Sequence, residues 1–347
     1  MCESVYLRAL VCSPHRITKQ SSATSCTSCA CNPSFPPALR YNSSLTRLPS
    51  LPPSLPPSPN PITTGHVGGK RTLILLDTFA TKETHSFFLS GLAGRGHKLT
   101  YLLANSPDVL LSKYGEPLYD NLIYFAPGTS EFTSPSLEGA GAIAAFVEGG
   151  GNVIMAGDKG MSELTREIAG EFGVEFEKKR SVVVDHFSYA SGLDQGGKHM
   201  VVVSDRLVRN EKVFGGEAGR EGGVAPVVFR GVGVTVEGDN VLALPILTGA
   251  SSTYSAVPNK EIPSSSSSLA NAGKALGLIT AVQARNNARV IVSGSLDFFS
   301  DAFFAHTLEG TGKGVGNKVV ALEMSKWGLG ERGILRASNV THHRADG

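Results

Sequence analysis

The chain has 347 residues, of which 41% are hydrophobic and 18% charged, with a formal net charge of +2. That length and apolar content can bury a substantial core in one large or two ordinary domains. So small a net charge offers no basic stripe for a nucleic acid or an acidic membrane surface, and no run of about 18 apolar residues is present to cross a bilayer as a helix.

Residues 1–69 contain PSLPPSLPPSPNP and Ser/Thr-rich patches without hydrophobic periodicity, so they read as a disordered, low-complexity arm that cannot bury enough to offset ordering. All five cysteines, Cys2, Cys12, Cys26, Cys29 and Cys31, fall in this arm. CTSCAC lacks a second Cys/His pair at zinc spacing and reads as tail rather than metal site. Residues 32–347 therefore hold neither a disulfide nor a cysteine nucleophile. VYLRALVC, preceded by Glu3 and interrupted by Arg8, does not read as a signal peptide.

Order begins at Arg71 with RTLILLD, a short continuous apolar run suited to a strand buried on both faces. ETHSFFLSGLAGRG predicts a helix with Phe88, Leu89, Leu92 and Ala93 on one face, stopping at Gly94 and Gly96. KLTYLLA and NLIYFAP predict strands, followed by a helix carrying Leu137, Ala140, Ala144 and Val147 and closed by Gly149–Gly151. The strand NVIMAGD and a helix with Leu164, Ile168, Ala169 and Phe172 continue the alternation, which predicts a doubly wound parallel sheet with right-handed crossovers. From Val182 the chain becomes strand-rich: SVVVDHF, HMVVVSD, PVVFRGVGVTVE, VLALPIL and ALGLITAVQA each read as a strand. GGEAGREGG and the serine run Ser264–Ser268 read as exposed loops. Arg289–Val292 is a further buried strand, DFFSDAFFAHTL a helix, and NKVVALEMSKWGLG a last helix with Val320, Met324 and Trp327 at helical spacing. Residues 71–330 thus read as one α/β domain, and 331–347 as the start of something further.

ARNNARVIVSGSLDFFSD, Ala284–Asp301, has the density of polar groups expected around a catalytic centre. A structural account is simpler. Asn286 and Asn287 suit the turn entering the strand, since Asn tolerates left-handed backbone. Ser295 or Asp297 can cap the following helix. Phe298, Phe299, Phe303 and Phe304 form a packing face, which leaves Arg285, Arg289 and Asp301 for ion pairs or a partner. Arg285, Asn286, Asn287, Arg289, Asp297 and Asp301 are accordingly expected to be fold-signature or partner-contact residues, with no catalytic, cofactor or metal role.

Other constellations are weaker. No Asp-x-Asp pair is present to hold a divalent ion for sugar-nucleotide chemistry. The turn after NVIMAG offers Asp158, Lys159 and Gly160 but no cysteine and no Gly-x-Ser-x-Gly. Asp185 and His186 are sequence neighbours that point to opposite faces of a strand, so one does not readily orient the other; His85 lies near the start of the first helix. Gly310, Gly312, Gly314 and Gly316 do not give the Gly-x4-Gly-Lys-Ser/Thr spacing of a phosphate loop and read as a flexible loop. Asn42-Ser43-Ser44 and Asn339-Val340-Thr341 are two weak glycosylation sequons.

YGEPLYDNLIYFAP, AFVEGGGNVIMA, VFRGVG, ILTGASSTYS, QARNNARVIVSGSLDFFSD and the terminal THHR together resemble the family of the 48 kDa subunit of the oligosaccharyltransferase complex, over about Arg71–Arg344. The resemblance implies a non-catalytic, accessory subunit of the endoplasmic reticulum membrane. That complex moves a preassembled glycan from dolichol pyrophosphate to Asn in Asn-x-Ser/Thr sequons, so the implied partners are its other subunits, including the multi-spanning catalytic one. The implied fold is a flavodoxin-like, glutamine-amidotransferase-like, doubly wound and mostly parallel sheet, with extra strands in its second half. In the family this lumenal domain is followed by a β-sandwich and one transmembrane helix. The sequence has no cleavable signal at its start and stops where that second domain should begin, which suggests a truncated or misjoined reading of a longer gene. The catalytic subunit's family motif, Trp-Trp-Asp-Tyr-Gly, has no counterpart, because Trp327 is the sole tryptophan. Two rival readings remain from the residues: an independent module binding carbohydrate or a glycated ligand, and an amidotransferase-like enzyme dependent on His186.

Overall fold

The computed structural model describes residues 70–334 except positions 195, 221, 237, 239, 259–271, 310 and 311. The cysteine-bearing arm, both sequons, the serine run and the terminal THHR lie outside the described residues.

β1 (Arg71–Leu76) is the strand that the LILL run requires. Its side chains alternate between two cores: Ile74 and Leu76 enter one, Leu73 and Leu75 the other, and all four are fully buried. A period of two with both faces covered makes the run continuously apolar rather than alternating. α1 (Ala80–Thr84) and α2 (Ser86–Gly94) follow where one helix was predicted. The break falls at His85, at φ −120° and ψ 27°, whose buried ring meets Thr84 Oγ1 at 2.9 Å through Nδ1 and Leu296 O at 3.2 Å through Nε2. Phe88, Leu89 and Leu92 form the buried stripe of α2, whereas Ala93, at its edge, is exposed. Gly96, at φ 89°, turns the chain into β2 (Lys98–Leu103).

β3 (Ser112–Lys113) and β4 (Glu116–Pro117) make a small hairpin that hydrophobic patterning does not signal. Its two turn residues, Tyr114 and Gly115, both adopt positive φ, as a tight hairpin turn of matching twist demands. β5 (Asn121–Phe125), α3 (Gly141–Glu148), β6 (Asn152–Ala156) and α4 (Glu163–Gly170) continue the βα alternation. Leu137 and Ala140 are buried but precede α3. α4 starts at extended Ser162, whose Oγ accepts the Thr165 N–H at 3.2 Å.

The second half supplies β7 (Val174–Phe176), β8 (Val182–Val184), β9 (Val202–Ser204), α5 (Glu211–Phe214), β10 (Val227–Phe229), β11 (Val234–Val236), β12 (Ala243–Thr248), β13 (Tyr254–Ala256), β14 (Gly277–Gln283) and β15 (Arg289–Ser293). PVVFRGVGVTVE, expected as one strand, divides at Arg230–Gly233: β10 pairs with β9, while β11 joins the main sheet between β14 and β7. DFFSDAFFAHTL likewise divides into a 3-10 turn at Asp297–Phe299 and α6 (Asp301–Phe304). The two pieces are separated by extended Ser300, whose Oγ accepts the Phe303 N–H at 3.3 Å. α7 (Asn317–Gly328) is the last helix.

Among the described residues the main sheet has nine strands in the order β2-β1-β5-β6-β15-β14-β11-β7, with β12 also paired to β14. The first five are mutually parallel and the additions beyond β15 antiparallel. The architecture is therefore mixed α/β around a large sheet whose first five strands are parallel. α2 and α7 cover one face through Phe88, Leu92, Val320 and Met324, and α3 and α4 cover the other through Ile143, Phe146 and Ile168. Each such side chain contributes roughly 1.5–3 kcal/mol on leaving water. Among the described residues no helix is long and apolar enough to cross a membrane.

Candidate functional site

Because β1, β5, β6 and β15 run parallel, their carboxyl ends open on one edge of the sheet. Open α/β sheets gather ligands on that edge, where the strand order reverses; here the reversal lies between β1 and β5. Asp77, just after β1, fills that point from within. Its Oδ2 accepts the Gly128 N–H at 2.8 Å and its Oδ1 the Thr129 hydroxyl at 2.8 Å. Donors that an anionic ligand would use are thus taken by the protein's own carboxylate, and Glu131 adds a further acidic group to the same cavity of about 510 Å³.

Further along the edge, the carboxyl ends of β6 and β15 border an open cleft of about 440 Å³, lined by Asp158, Lys159, Met200, Arg230 and Asp297 among others. Arg230, which follows β10, is held from two sides: Nε donates to Asp297 Oδ2 at 2.7 Å, and the guanidinium lies 5.5 Å from the Phe303 ring centroid. The hydrogen bond to Asp297 raises the Arg230 pKa further. Burial pushes the half-buried Asp158 carboxyl up; the Lys159 backbone N–H opposes this and the nearby Asp297 charge adds to it. A backbone contact fixes the cleft wall, where Val232 N–H donates to Gly294 O at 2.8 Å. A β-carbon on Gly231 would lie 2.1 Å from Gly294 O, so this approach requires glycine.

The polar residues of Ala284–Asp301 do not converge. The Asn pair and the aspartates are separated by β15, whose five residues extend roughly 16 Å. Asn287 adopts φ 68° in the turn before β15, and Asn286 Nδ2 donates to Val147 O at 2.7 Å and Glu148 O at 2.9 Å, closing the end of α3. Arg285 is exposed. Arg289, expected to form an ion pair or meet a partner, is instead 2% exposed and donates to three backbone carbonyls: Trp327 at 2.6 Å, Arg332 at 2.5 Å and Gly333 at 2.8 Å. Its burial lowers the guanidinium pKa. Asp301 has no ion-pair partner among the described residues either; it accepts the Ser86 and Phe87 N–H groups at 3.0 and 2.9 Å at the start of α2. Asp297 caps no helix. Ser295 Oγ accepts the Phe298 N–H at 3.1 Å in its place, leaving Asp297 free for Arg230.

No catalytic triad assembles among the described residues at the positions considered. Asp185 accepts the Phe187 and Ser188 N–H groups and the Ser252 and Thr253 hydroxyls. Burial opposes its ionisation, but these donors outweigh it and hold the carboxyl below its usual range. It therefore ties its own loop to Ser252 and Thr253 and does not orient His186, whose nitrogens meet His199 Nδ1 at 2.6 Å and Tyr254 Oη at 2.8 Å. Among the described residues no three His, Cys, Asp or Glu side chains are grouped to hold a metal ion.

Residues 64–331 match the family model described as OST48, N-terminal domain. The chain belongs to this family. It is 39% identical over 286 residues to the zebrafish (Danio rerio) dolichyl-diphosphooligosaccharide–protein glycosyltransferase 48 kDa subunit, covering 80% of this chain and 62% of that protein. It is 41% identical over 281 residues to the fruit-fly (Drosophila melanogaster) protein of the same name, covering 79% and 61%. The chain thus spans about three-fifths of the length of these relatives. Among solved structures, a putative ThuA-like protein from Parabacteroides merdae aligns at a TM-score of 0.38 and 12% identity, covering 78% of this chain and 93% of that one, a likeness too loose to carry an argument.

The matched span includes Asp77, Asp158, Arg230, Arg289, Asp297 and Asp301. Of these, Arg230 had no sequence signal beyond a lone cation in FRGVG, a string whose glycines mark a close backbone approach. Its pairing with Asp297 joins residues 67 positions apart.

Proposed function

We propose that this chain supplies the lumenal domain of a non-catalytic, accessory 48 kDa subunit of the oligosaccharyltransferase complex. It supports assembly and stability of the complex that transfers a dolichol-linked oligosaccharide en bloc to Asn in Asn-x-Ser/Thr sequons at the endoplasmic reticulum membrane. The observation that carries the reading is the family match over residues 64–331. Two further features favour a scaffold over an enzyme: the reversal point is filled by Asp77, and Asp185 is committed to four donors, two in its own loop and two from Ser252 and Thr253. The order β2-β1-β5-β6-β15 of the parallel strands, equivalent to 2-1-3-4-5, supports a flavodoxin-like doubly wound core. The partners are the other subunits, including the multi-spanning catalytic one. Co-purification of a tagged full-length subunit with that catalytic subunit tests the assignment. Absence of association, together with normal glycosylation after depletion, would refute it.

A further inference from the structure

We propose that the cleft at the carboxyl ends of β6 and β15 binds a small oxyanion, a carboxylate or a phosphate monoester, between the Arg230 guanidinium and the Lys159 ammonium. Both side chains line the cleft. Arg230 is anchored through Nε alone, so among the described residues its two terminal nitrogens donate to no protein acceptor. A guanidinium immobilised by a carboxylate on one edge and an aromatic ring beneath presents its remaining donors as a preorganised fork, the geometry that planar and tetrahedral oxyanions accept. Lys159 is exposed beside the fork and forms no ion pair among the described residues. A β-carbon on Gly160 would meet nothing within 4 Å, so the backbone there leaves room for a ligand, and Val182 and Met200 offer an apolar wall to its carbon portion.

The unpaired donors, rather than the net charge, decide the sign of the ligand. Arg230 and Lys159 share the cleft with Asp297 and Asp158, and the Asp194 charge also reaches Arg230; Asp297 engages Arg230 through Nε and leaves its terminal nitrogens available. An ionised Asp158 carboxylate repels an anion in this cleft and so limits its affinity. The contrast with the strand-order reversal is instructive: there Asp77 satisfies the donors internally, whereas here the donors remain available. This inference does not depend on the subunit assignment, and its failure would leave that assignment untouched.

Calorimetric titration of the 347-residue chain with inorganic phosphate and, separately, with acetate near pH 6 tests it, a pH at which ordinary carboxylates are ionised and lysine is charged. Saturable, millimolar binding of at least one anion is expected; phosphate alone assigns a phosphate ester, acetate alone a carboxylate. Arg230→Gln should weaken binding about tenfold or more, as the loss of charged hydrogen bonds does. Lys159→Ala should weaken it and Asp158→Asn strengthen it, each about fivefold. Arg285→Ala should leave the affinity unchanged. Failure of both anions to bind saturably overturns the proposal, and so does an affinity that Lys159→Ala does not lower or Asp158→Asn does not raise. Should Arg230→Gln fail to fold, those two variants decide the outcome alone.

Discussion

Arg289 opens β15 and ends its side chain against Trp327 near the end of α7, donating to the Trp327 carbonyl at 2.6 Å with its guanidinium 4.6 Å from the indole centroid. A cation at this place faces the negative end of the helix dipole and compensates carbonyls that no intrahelical N–H reaches. Its remaining hydrogen bonds go to Arg332 O and Gly333 O, so one side chain holds both the helix end and the chain leaving it. Arg289→Met leaves the Arg332 and Gly333 carbonyls without this donor, the Trp327 carbonyl keeping the Gly330 N–H, and should cost about 2–4 kcal/mol in urea unfolding. Arg289→Lys should recover only part of this, because a single ammonium cannot reproduce the planar fork. A methionine variant as stable as the wild type would rule out the clasp.

Two aspartates that look alike in sequence should behave differently. Asp301 terminates the free N–H groups of α2 from a distant part of the chain, bonding Ser86 and Phe87. Asp301→Ala should therefore cost about 1–2 kcal/mol, as a lost helix cap does. Asp297 forms a partly exposed pair with Arg230 and caps nothing, so Asp297→Ala should cost at most about 1 kcal/mol. Denaturant midpoints in the reverse order would contradict this division of roles.

This contrast shows which parts of the molecule the sequence makes legible. β1, β5, β6 and β15 announce themselves through short apolar runs because both faces of the sheet are covered, and α4 through its Ser162 cap and periodic Leu164 and Ile168. Tertiary demands are hidden. A buried His85 breaks a helix that local propensity would continue, and Tyr114 takes a left-handed turn position that side chains rarely adopt. FRGVG reads as the middle of one strand because the close contact between Gly231 and Gly294 is visible only once β10 and β15 are brought together. The same distance in sequence concealed the cleft, since Asp158, Arg230 and Asp297 come from three separate loops.

That close contact carries its own prediction. A β-carbon on Gly294 would stand 1.8 Å from the Val232 carbonyl oxygen, a backbone atom that cannot rotate away. Gly294→Ala should force the two segments apart and cost about 3 kcal/mol or more, among the larger effects of a single substitution. Gly160→Ala, by contrast, meets open space at a backbone position without positive φ and should change stability by less than about 0.5 kcal/mol. Thermal unfolding of the pair separates close approach from a general loss of glycine flexibility.

Two buried or half-buried groups give opposite pH dependences. Burial depresses the His85 pKa, although carbonyls of Leu296 and Thr81 partly oppose it. The stability contributed by its neutral ring is complete above the ordinary imidazole range near pH 6.5 and is lost as the pH falls from there through the folded value. For Asp158, burial raises the carboxyl pKa, so its contribution is complete below the ordinary carboxyl value near 3.9 and is lost as the pH rises through the folded value. Above that folded value the native state bears an ionised carboxylate in a site that disfavours it. Asp158→Asn should raise the urea midpoint at about pH 7. Its advantage should disappear below about pH 4, where the wild-type group is neutral in both the folded and unfolded chain. A midpoint difference that stays constant across this range would show that ionisation of Asp158 is not the cause.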